Sequence, residues 1–343
     1  MNLETIKASL STLSSTEIAE LQKTLEQISS SDSIAPKSQQ SRRHLLDNKL
    51  GCCPHCGHKK YVKFGIDKGS QRYKCKSCNR SFTEYTGTWM AGLQRKDKID
   101  DYLALMHQEK SLDKIKEILS INKKTAFDWR HKILSALHDT DKDDFTGITE
   151  SDETFFLDSK KGQPVTDRAS RKRGGTSKTK GISNDLVAVI VTQDRTSTLD
   201  LSVATMGRLK KIDIDKAIGN RINKEHTILC SDAHVSYKGF AIDNNLEHHT
   251  LKGMIKQRVK NKIYHIQHVN NTHNRLKKWI DNTFWGVSTK YLQQYLNWYR
   301  IKEKLKHRND KLNAFIDKVA EDITAQQKYL TIEDRYQKLL STQ

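Results

Sequence analysis

Cys53-Pro-His-Cys56 and Cys75-Lys-Ser-Cys78 form two CxxC pairs with eighteen residues between them, and no other feature constrains the local fold so tightly. Each CxxC turn can aim both sulfurs at one ion, and structural Zn²⁺ favours a closed tetrahedron of soft ligands. The spacing therefore predicts a small β module in which Cys53, Cys56, Cys75 and Cys78 hold structural zinc. Gly57 to Gly65 reads as a knuckle and a short strand, and Gln71 to Cys75 as the strand returning to the second knuckle. No secretory signal is evident, which argues against disulfides. His55, His58 and Cys52 are spare ligand candidates that read better as ordinary knuckle residues. This zinc ribbon is expected over residues 46–95.

A chain of 343 residues has room for two or three domains. Lys and Arg number 60 against 41 Asp and Glu, a formal net charge of +19. The excess is interleaved with aromatic and apolar residues, so a folded protein with a polyanionic partner is expected. No apolar run approaches the roughly 18 residues needed to span a bilayer. Nucleic acid is favoured over a membrane surface, and the cytoplasm, at the nucleoid, is the expected location.

Before the ribbon, residues 1–45 carry two short helical patterns: Leu3, Ile6, Leu10 and Leu13, then Ile18, Leu21, Leu25 and Ile28. Ser29 to Ser41 reads as a Ser/Gln-rich linker. After the ribbon, residues 96–140 show three helices. Ile99, Tyr102, Leu103 and Met106 mark the first, and Leu112, Ile115, Ile118 and Leu119 mark the second, which starts at the Ser111 cap. A tight Ser120-Ile-Asn122 turn enters the third. That order reads as a helix-turn-helix, whose second helix would offer Lys123, Lys124, Thr125, Arg130, His131 and Lys132 to DNA. A plain three-helix connector with a solvated basic face is the competing reading.

From residue 145 the pattern changes to strands: Ile148–Leu157, Leu186–Thr192, Leu199–Ala204 and Thr227–Cys230. A mixed α/β domain is expected over 145–300, followed by a helical tail over 301–343. Trp285 to Tyr299 reads as a further helix packed on the sheet. Arg171, Lys172 and Arg173 lie in a loop between the first two strands, either solvated or clamping phosphates.

Asp152 lies inside the first strand and Asp232 just past the last. A carboxylate on a buried apolar strand is unfavourable unless it is paired or holds a cation, so both are candidate ligands of a hard metal, Mg²⁺ or Mn²⁺. Ideal alternation puts Glu150 on the same face as Asp152 and makes it the better auxiliary ligand, with Glu153 as a weaker one. Downstream, the polar helix Val269–Trp279 presents Asn270, His273 and Lys277 within about 60° of one another. Cys230 reads as a small core hydrophobe.

Taken in order, the zinc ribbon, the helix-turn-helix, the Asp-Glu-Thr strand, Ser-Asp-Ala-His at a strand end and the Asn-x-x-His-x-Arg-Leu-Lys helix resemble the transposases of bacterial insertion sequences. The resemblance covers roughly residues 45–300. It implies a multidomain α/β protein whose catalytic domain is an RNase H-like mixed sheet of the DDE type. It places the first Asp at Asp152, the second at Asp232, and a third acidic residue opening a helix with a Lys seven positions later. Asn270 and Lys277 fit that spacing, with Asn where the family usually has Glu. An amide oxygen can ligate Mg²⁺ but removes one negative charge. His273 is the other candidate for the third position.

The resemblance further implies an enzyme that binds the element's terminal inverted repeats, cleaves and transfers DNA strands with Mg²⁺, and works on double-stranded target DNA as a homodimer or larger assembly. A non-catalytic zinc-ribbon regulator, or an inactive transposase remnant, is the competing class.

Overall fold

The ribbon forms as the cysteine spacing predicts. Strands β1 (Tyr61–Asp67), β2 (Ser70–Cys75) and β3 (Ser81–Phe82) make an antiparallel three-stranded sheet in that order. Both knuckles need a left-handed residue directly after the second cysteine, and Gly57 (φ +71) and Asn79 (φ +57) supply it. Tyr61, Tyr73 and Phe82 pack against Cys53, Cys75 and Cys78 to form the module's small core.

This computed structural model describes residues 13–14, 16–18, 20, 37–45, 51–67, 69–138, 142–165, 175, 177, 179–251 and 258–342. Most of the expected N-terminal helical pattern lies outside them. The linker expected over Ser29–Ser41 is corrected from Lys37 onward, where the chain forms helix α1 (Lys37–Leu45). Tertiary contacts explain the difference. Buried Arg42 donates to the carbonyls of Glu84 (3.0 Å) and Ala320 (2.8 Å), and polar composition alone hides such anchors.

Helices α2 (Ile99–His107), α3 (Leu112–Leu119) and α4 (Lys123–Ala136) follow the ribbon. Ser111 caps α3, accepting from the Lys114 N–H at 3.2 Å, and Asn122 caps α4, accepting from the Lys124 N–H at 2.8 Å. Ser120 takes the left-handed conformation that closes α3.

The second sheet has the order β6-β5-β4-β7-β8, built from β4 (Phe145–Leu157), β5 (Leu186–Asp194), β6 (Leu199–Met206), β7 (Ile222–Asp232) and β8 (Glu247–Leu251). β4, β5 and β6 pair antiparallel, and β4, β7 and β8 pair parallel. Gly147, at φ +65, sits where the β4–β7 register shifts. One sheet face, including Ile190 and Leu229, packs under α5 (Lys211–Ile218) and α6 (Val235–Asp243). The other, including Val187, Val189, Val191 and Leu201, packs under α7 (Gln267–Phe284) and α8 (Leu292–Leu305). Alternation along β5 thus serves two cores.

The tail forms α9 (Lys311–Glu321), α10 (Ala325–Leu330) and α11 (Ile332–Leu340). α8 and α11 lie against β6, and Thr342 Oγ1 donates to neither strand edge but accepts from the Met206 N–H at 3.3 Å. An edge strand that would otherwise offer free backbone groups is thereby covered. One hydrophobic cluster joins α2–α4, one sheet face and the tail, so packing crosses the boundaries expected near 140 and 300.

Candidate active site

The β4–β7 register pairs Glu150 with Cys230, and two further steps along both strands bring Asp152 beside Asp232. β7 ends at Asp232, so β4 beyond Glu150 faces an opening at the carboxyl ends of the parallel strands. Ligands of open α/β sheets bind in such crevices. Oxygens of Asp152, Glu153 and Asp232 all lie within 4.8 Å of one another there.

Burial, then the nearby Glu153 and Asp232 charges, pushes the Asp152 carboxyl up to about 8. Burial and Asp232 also raise Glu153, with His234 opposing them. Glu153 Oε2 is buried with no hydrogen-bond partner among the described residues. Three crowded carboxylates and an orphaned oxygen fit a hard cation's needs. Asp232 Oδ1 accepts from the His234 N–H at 2.9 Å, which steadies the turn into α6.

α7 crosses β4 and β5 on the other side of this opening. His273 is buried against the Asp152 backbone, and burial, then Lys277, holds its imidazole down at about 4. It is neutral near pH 7. Asn270 and Lys277 are exposed on the same helix face. The structure thus brings Asp152 and Asp232 together with His273 at the Asp152 backbone, while Asn270 and Lys277 share the His273 face of α7.

Glu150 is a correction. Its carboxylate does not join the cluster; it is turned to Arg195, His265, His268 and the first turn of α7. The carboxylate grouped with Asp152 and Asp232 is that of Glu153. Strand alternation itself holds, with Glu150 and Asp152 on the face under α7 and Glu153 on the opposite one, but alternation does not show that the start of α7, Arg195 and two histidines take up the Glu150 carboxylate.

At the ribbon, Cys53 and Cys78 sulfurs lie 3.7 Å apart and Cys56 and Cys75 sulfurs 3.6 Å apart, with all four within 4.8 Å of one another. The Cys78 backbone N–H pulls the Cys75 thiol down to about 7, against burial, with Ser77 assisting. Burial raises the Cys53 thiol instead, so the cluster is not a set of four thiolates until a soft cation displaces its protons. His55, His58 and Cys52 stand outside the group.

The basic helix α4 departs from expectation. Lys123 pairs with Asp113 at 2.9 Å, Lys124 is exposed and Thr125 is half-buried at its start. Arg130 is corrected as a DNA contact: it is buried, donates to the Lys110 carbonyl at 2.6 Å and lies over the Phe284 and Trp298 rings. His131 is likewise buried, stacked on Tyr291 and 2.6 Å from Gln294 Oε1. Lys132 rests over Tyr329. Packing of α8, α9 and α10 around α4 is the cause. Arg171, Lys172 and Arg173 lie outside the described residues.

Sequence reasoning missed the outer face of the ribbon. Val62 and Phe64 point outward on edge strand β1, Ile66 is exposed beyond the bulge that follows Lys63, and Arg72 and Lys74 from β2 sit 5.3 and 5.2 Å from the Phe64 ring centre. Their period-2 spacing was the available signal. No helix among the described residues is long and apolar enough to cross a membrane.

Residues 144–300 match the family described as the ISXO2-like transposase domain. A protein of Halobacterium salinarum, described as an uncharacterized protein in transposable element ISH50, is 27% identical over 172 residues, which is 48% of this chain and 58% of that protein. A pre-cleavage Mos1 transpososome aligns at 11% identity over 90% of this chain and 98% of that one, with a TM-score of 0.25. A Mos1 strand transfer complex aligns at 12% identity over 86% and 98%, with a TM-score of 0.20. The family match spans β4 through most of α8, including every carboxylate and α7 residue of the site. Residues 144–300 of the chain are thus similar to an ISXO2-like transposase domain, and the resemblance to an insertion-element protein agrees with that match.

Proposed function

We propose that the protein is the DNA transposase of an insertion sequence, with its catalytic centre at Asp152, Glu153 and Asp232 on β4 and β7. The observation that carries this reading is the crowding of those three carboxylates within 4.8 Å around an orphaned Glu153 oxygen, inside the transposase-domain match. Such a group is stable when a divalent cation shares its charge. Mg²⁺ or Mn²⁺, when bound there, supplies Lewis acidity at a phosphodiester.

The chain's own residues have distinct tasks in this reading. Asp152, Glu153 and Asp232 hold the cation. Glu153 restores the negative charge that Asn270 lacks, while Asn270 offers a neutral oxygen from α7. His273, neutral and buried beside Asp152, keeps the helix face close without adding positive charge to the cluster. Lys277, exposed one turn further on, meets a DNA phosphate.

The mixed sheet with helices on both faces is consistent with an RNase H-like catalytic domain. DNA reading falls to the ribbon, held by zinc on Cys53, Cys56, Cys75 and Cys78, and to the helix-turn-helix of α3 and α4. Within α4 the N-terminus, with Lys123, Lys124 and Thr125, is the part open to DNA. On the ribbon the exposed Phe64 face flanked by Arg72 and Lys74 matches a polyanion. Terminal inverted repeats are the expected specific site, and joining two element ends calls for at least two copies.

The test uses the purified chain, a labelled double-stranded element end and Mg²⁺ or Mn²⁺, comparing wild type with Asp152→Ala. Metal-dependent nicking by wild type and its loss in the variant are expected. If both bind DNA equally and neither nicks, the enzyme reading fails and a non-catalytic DNA-binding regulator remains.

A further inference from the structure

α7 carries Asn270, His273 and Lys277, yet its own sequence secures its ends only in part: left-handed Trp285 lets the Trp285 and Gly286 N–H groups bond the Asp281 and Ile280 carbonyls, and the Gln267 N–H reaches His265 Nδ1. Its N-cap residue, Ile266, offers no side-chain hydrogen bond; its first turn has no acidic residue and its last turn no basic one. The N–H groups after Gln267, the last carbonyls and the helix dipole are left to partners outside the helix.

Both deficits are met from one neighbouring segment. Glu150 on β4 is 1% exposed, and its Oε2 accepts from the N–H groups of His268 (3.0 Å) and Val269 (3.4 Å), the second and third residues of α7. Its Oε1 meets His268 Nδ1 at 2.7 Å, His265 Nδ1 at 3.2 Å and Arg195 Nε at 3.2 Å. At the far end, Lys161, four residues beyond β4, donates to the carbonyls of Phe284 (2.6 Å), Trp285 (3.2 Å) and Gly286 (2.8 Å). Ser159 and Thr289 close the same corner through two hydrogen bonds of 2.8 Å. A carboxylate thus stands at the positive end of the helix and an ammonium at the negative end.

We propose that Glu150 and Lys161 are positioning residues: a two-ended clamp by which the strand that holds Asp152 also fixes the axial position of α7. The inference rests on the catalytic reading above for its consequence and on the contacts alone for its geometry. With both ends tied to β4, Asn270 cannot slide along the strand relative to Asp152. Glu150, two residues before Asp152, converts the position of one metal-holding strand into the position of the other metal-facing element. Arg195 and the two histidines orient the Glu150 carboxylate and Arg195 compensates its charge, which leaves Oε2 to cap the helix.

The experiment compares full-length wild type with Glu150→Ala, Glu150→Gln and Lys161→Met by three readouts. The first is hydrogen exchange at the amides of residues 268–270. The second is Mn²⁺ affinity measured without DNA, and the third is metal-dependent nicking. Glu150→Ala should speed exchange at those amides at least about tenfold while β5 amides stay protected. It should also weaken Mn²⁺ binding and nicking by about 10- to 100-fold, the range typical of residues that orient ligands. Glu150→Gln keeps an acceptor oxygen and should recover part of each loss. Lys161→Met should give the smaller change in Mn²⁺ affinity and raise exchange in the last turn of α7. Should Glu150→Ala not fold, the Lys161 variant alone decides. Unchanged exchange and Mn²⁺ affinity in the variants overturn the clamp. So does loss of a whole equivalent of bound metal in Glu150→Ala, which would make Glu150, His265 and His268 a metal site in their own right. If exchange and Mn²⁺ affinity shift as expected while wild type nicks no DNA, the clamp stands and the transposase reading falls.

Discussion

The chain builds its cysteine cluster and its Asp152–Glu153–Asp232 cluster in opposite ways. In the ribbon, each pair of cysteines sits inside one four-residue turn, and the backbone amides that reach the sulfurs come from the same turns. At the carboxylate site, Asp152 and Asp232 are eighty positions apart, and α7 arrives from further still. The ribbon needs only local geometry and an ion. The carboxylate site needs a completed sheet, a register and a helix held from outside. The first is expected to depend on its metal for its shape, and the second to exist without metal at an electrostatic disadvantage.

Stripping zinc should have the largest effect. Structural zinc supplies about 10–16 kcal/mol in isolated zinc-finger peptides, and a core of Tyr61, Tyr73 and Phe82 is too small to substitute for it. A strong chelator, or Cys75→Ser, should unfold the ribbon and reduce DNA affinity at least about tenfold while the α/β part keeps its melting transition. Metal analysis should find about one zinc per folded chain. A metal-free chain whose ribbon amides stay protected from exchange would break the comparison at its first term.

The carboxylate site predicts a pH effect of opposite character. The Asp152 pKa, about 8 when folded, lies far above the ordinary aspartate value of about 3.9, so the folded state keeps a proton that the unfolded chain releases. Without divalent metal, stability should therefore fall as pH rises from about 4 to about 8, by a few kcal/mol at most. Asp152→Asn should flatten that slope, and Mg²⁺ should offset it for wild type alone. Melting curves of the two chains that run parallel across the window, with and without Mg²⁺, would remove the case for a cation at this cluster.

Glu153→Gln sharpens the same point. It leaves the strand intact and removes one of three charges, so the Mn²⁺ requirement for nicking should rise by about 10- to 100-fold. An unchanged requirement would return the auxiliary role to another residue.

What could be read from the sequence divides along the same line. The knuckles, the Ser111 and Asn122 caps, the four anticipated strands and the α7 face are local or periodic patterns, and each appears where those patterns put it. β8 went unseen because Glu247-His-His-Thr-Leu251, a strand at the sheet's edge, carries no apolar alternation. α1 resembled a linker because its anchor, Arg42, binds carbonyls from two distant segments. Glu150 and Glu153 exchanged roles because alternation along a strand does not report which distant groups take up each carboxylate. In each case the deciding partner is remote in sequence.

Helix α4 shows the same division within one element. Its basic residues are a visible pattern, but which of them face solvent is decided by α8, α9 and α10. Arg130→Ala should lower stability by about 1–3 kcal/mol, since it strips the Lys110 carbonyl of its donor and empties the space over two aromatic rings, and should leave the DNA affinity of the folded fraction unchanged. Lys124→Ala should do the reverse and more weakly: no change in melting, a modest loss of affinity across sequences, and a reduction of about one in the slope of log affinity against log salt. A folded Arg130→Ala chain that loses DNA as Lys124→Ala does would mean that α4 meets DNA along its length. In that case the packing around it must open on binding, and the distant helices would regulate the reader as well as bury it.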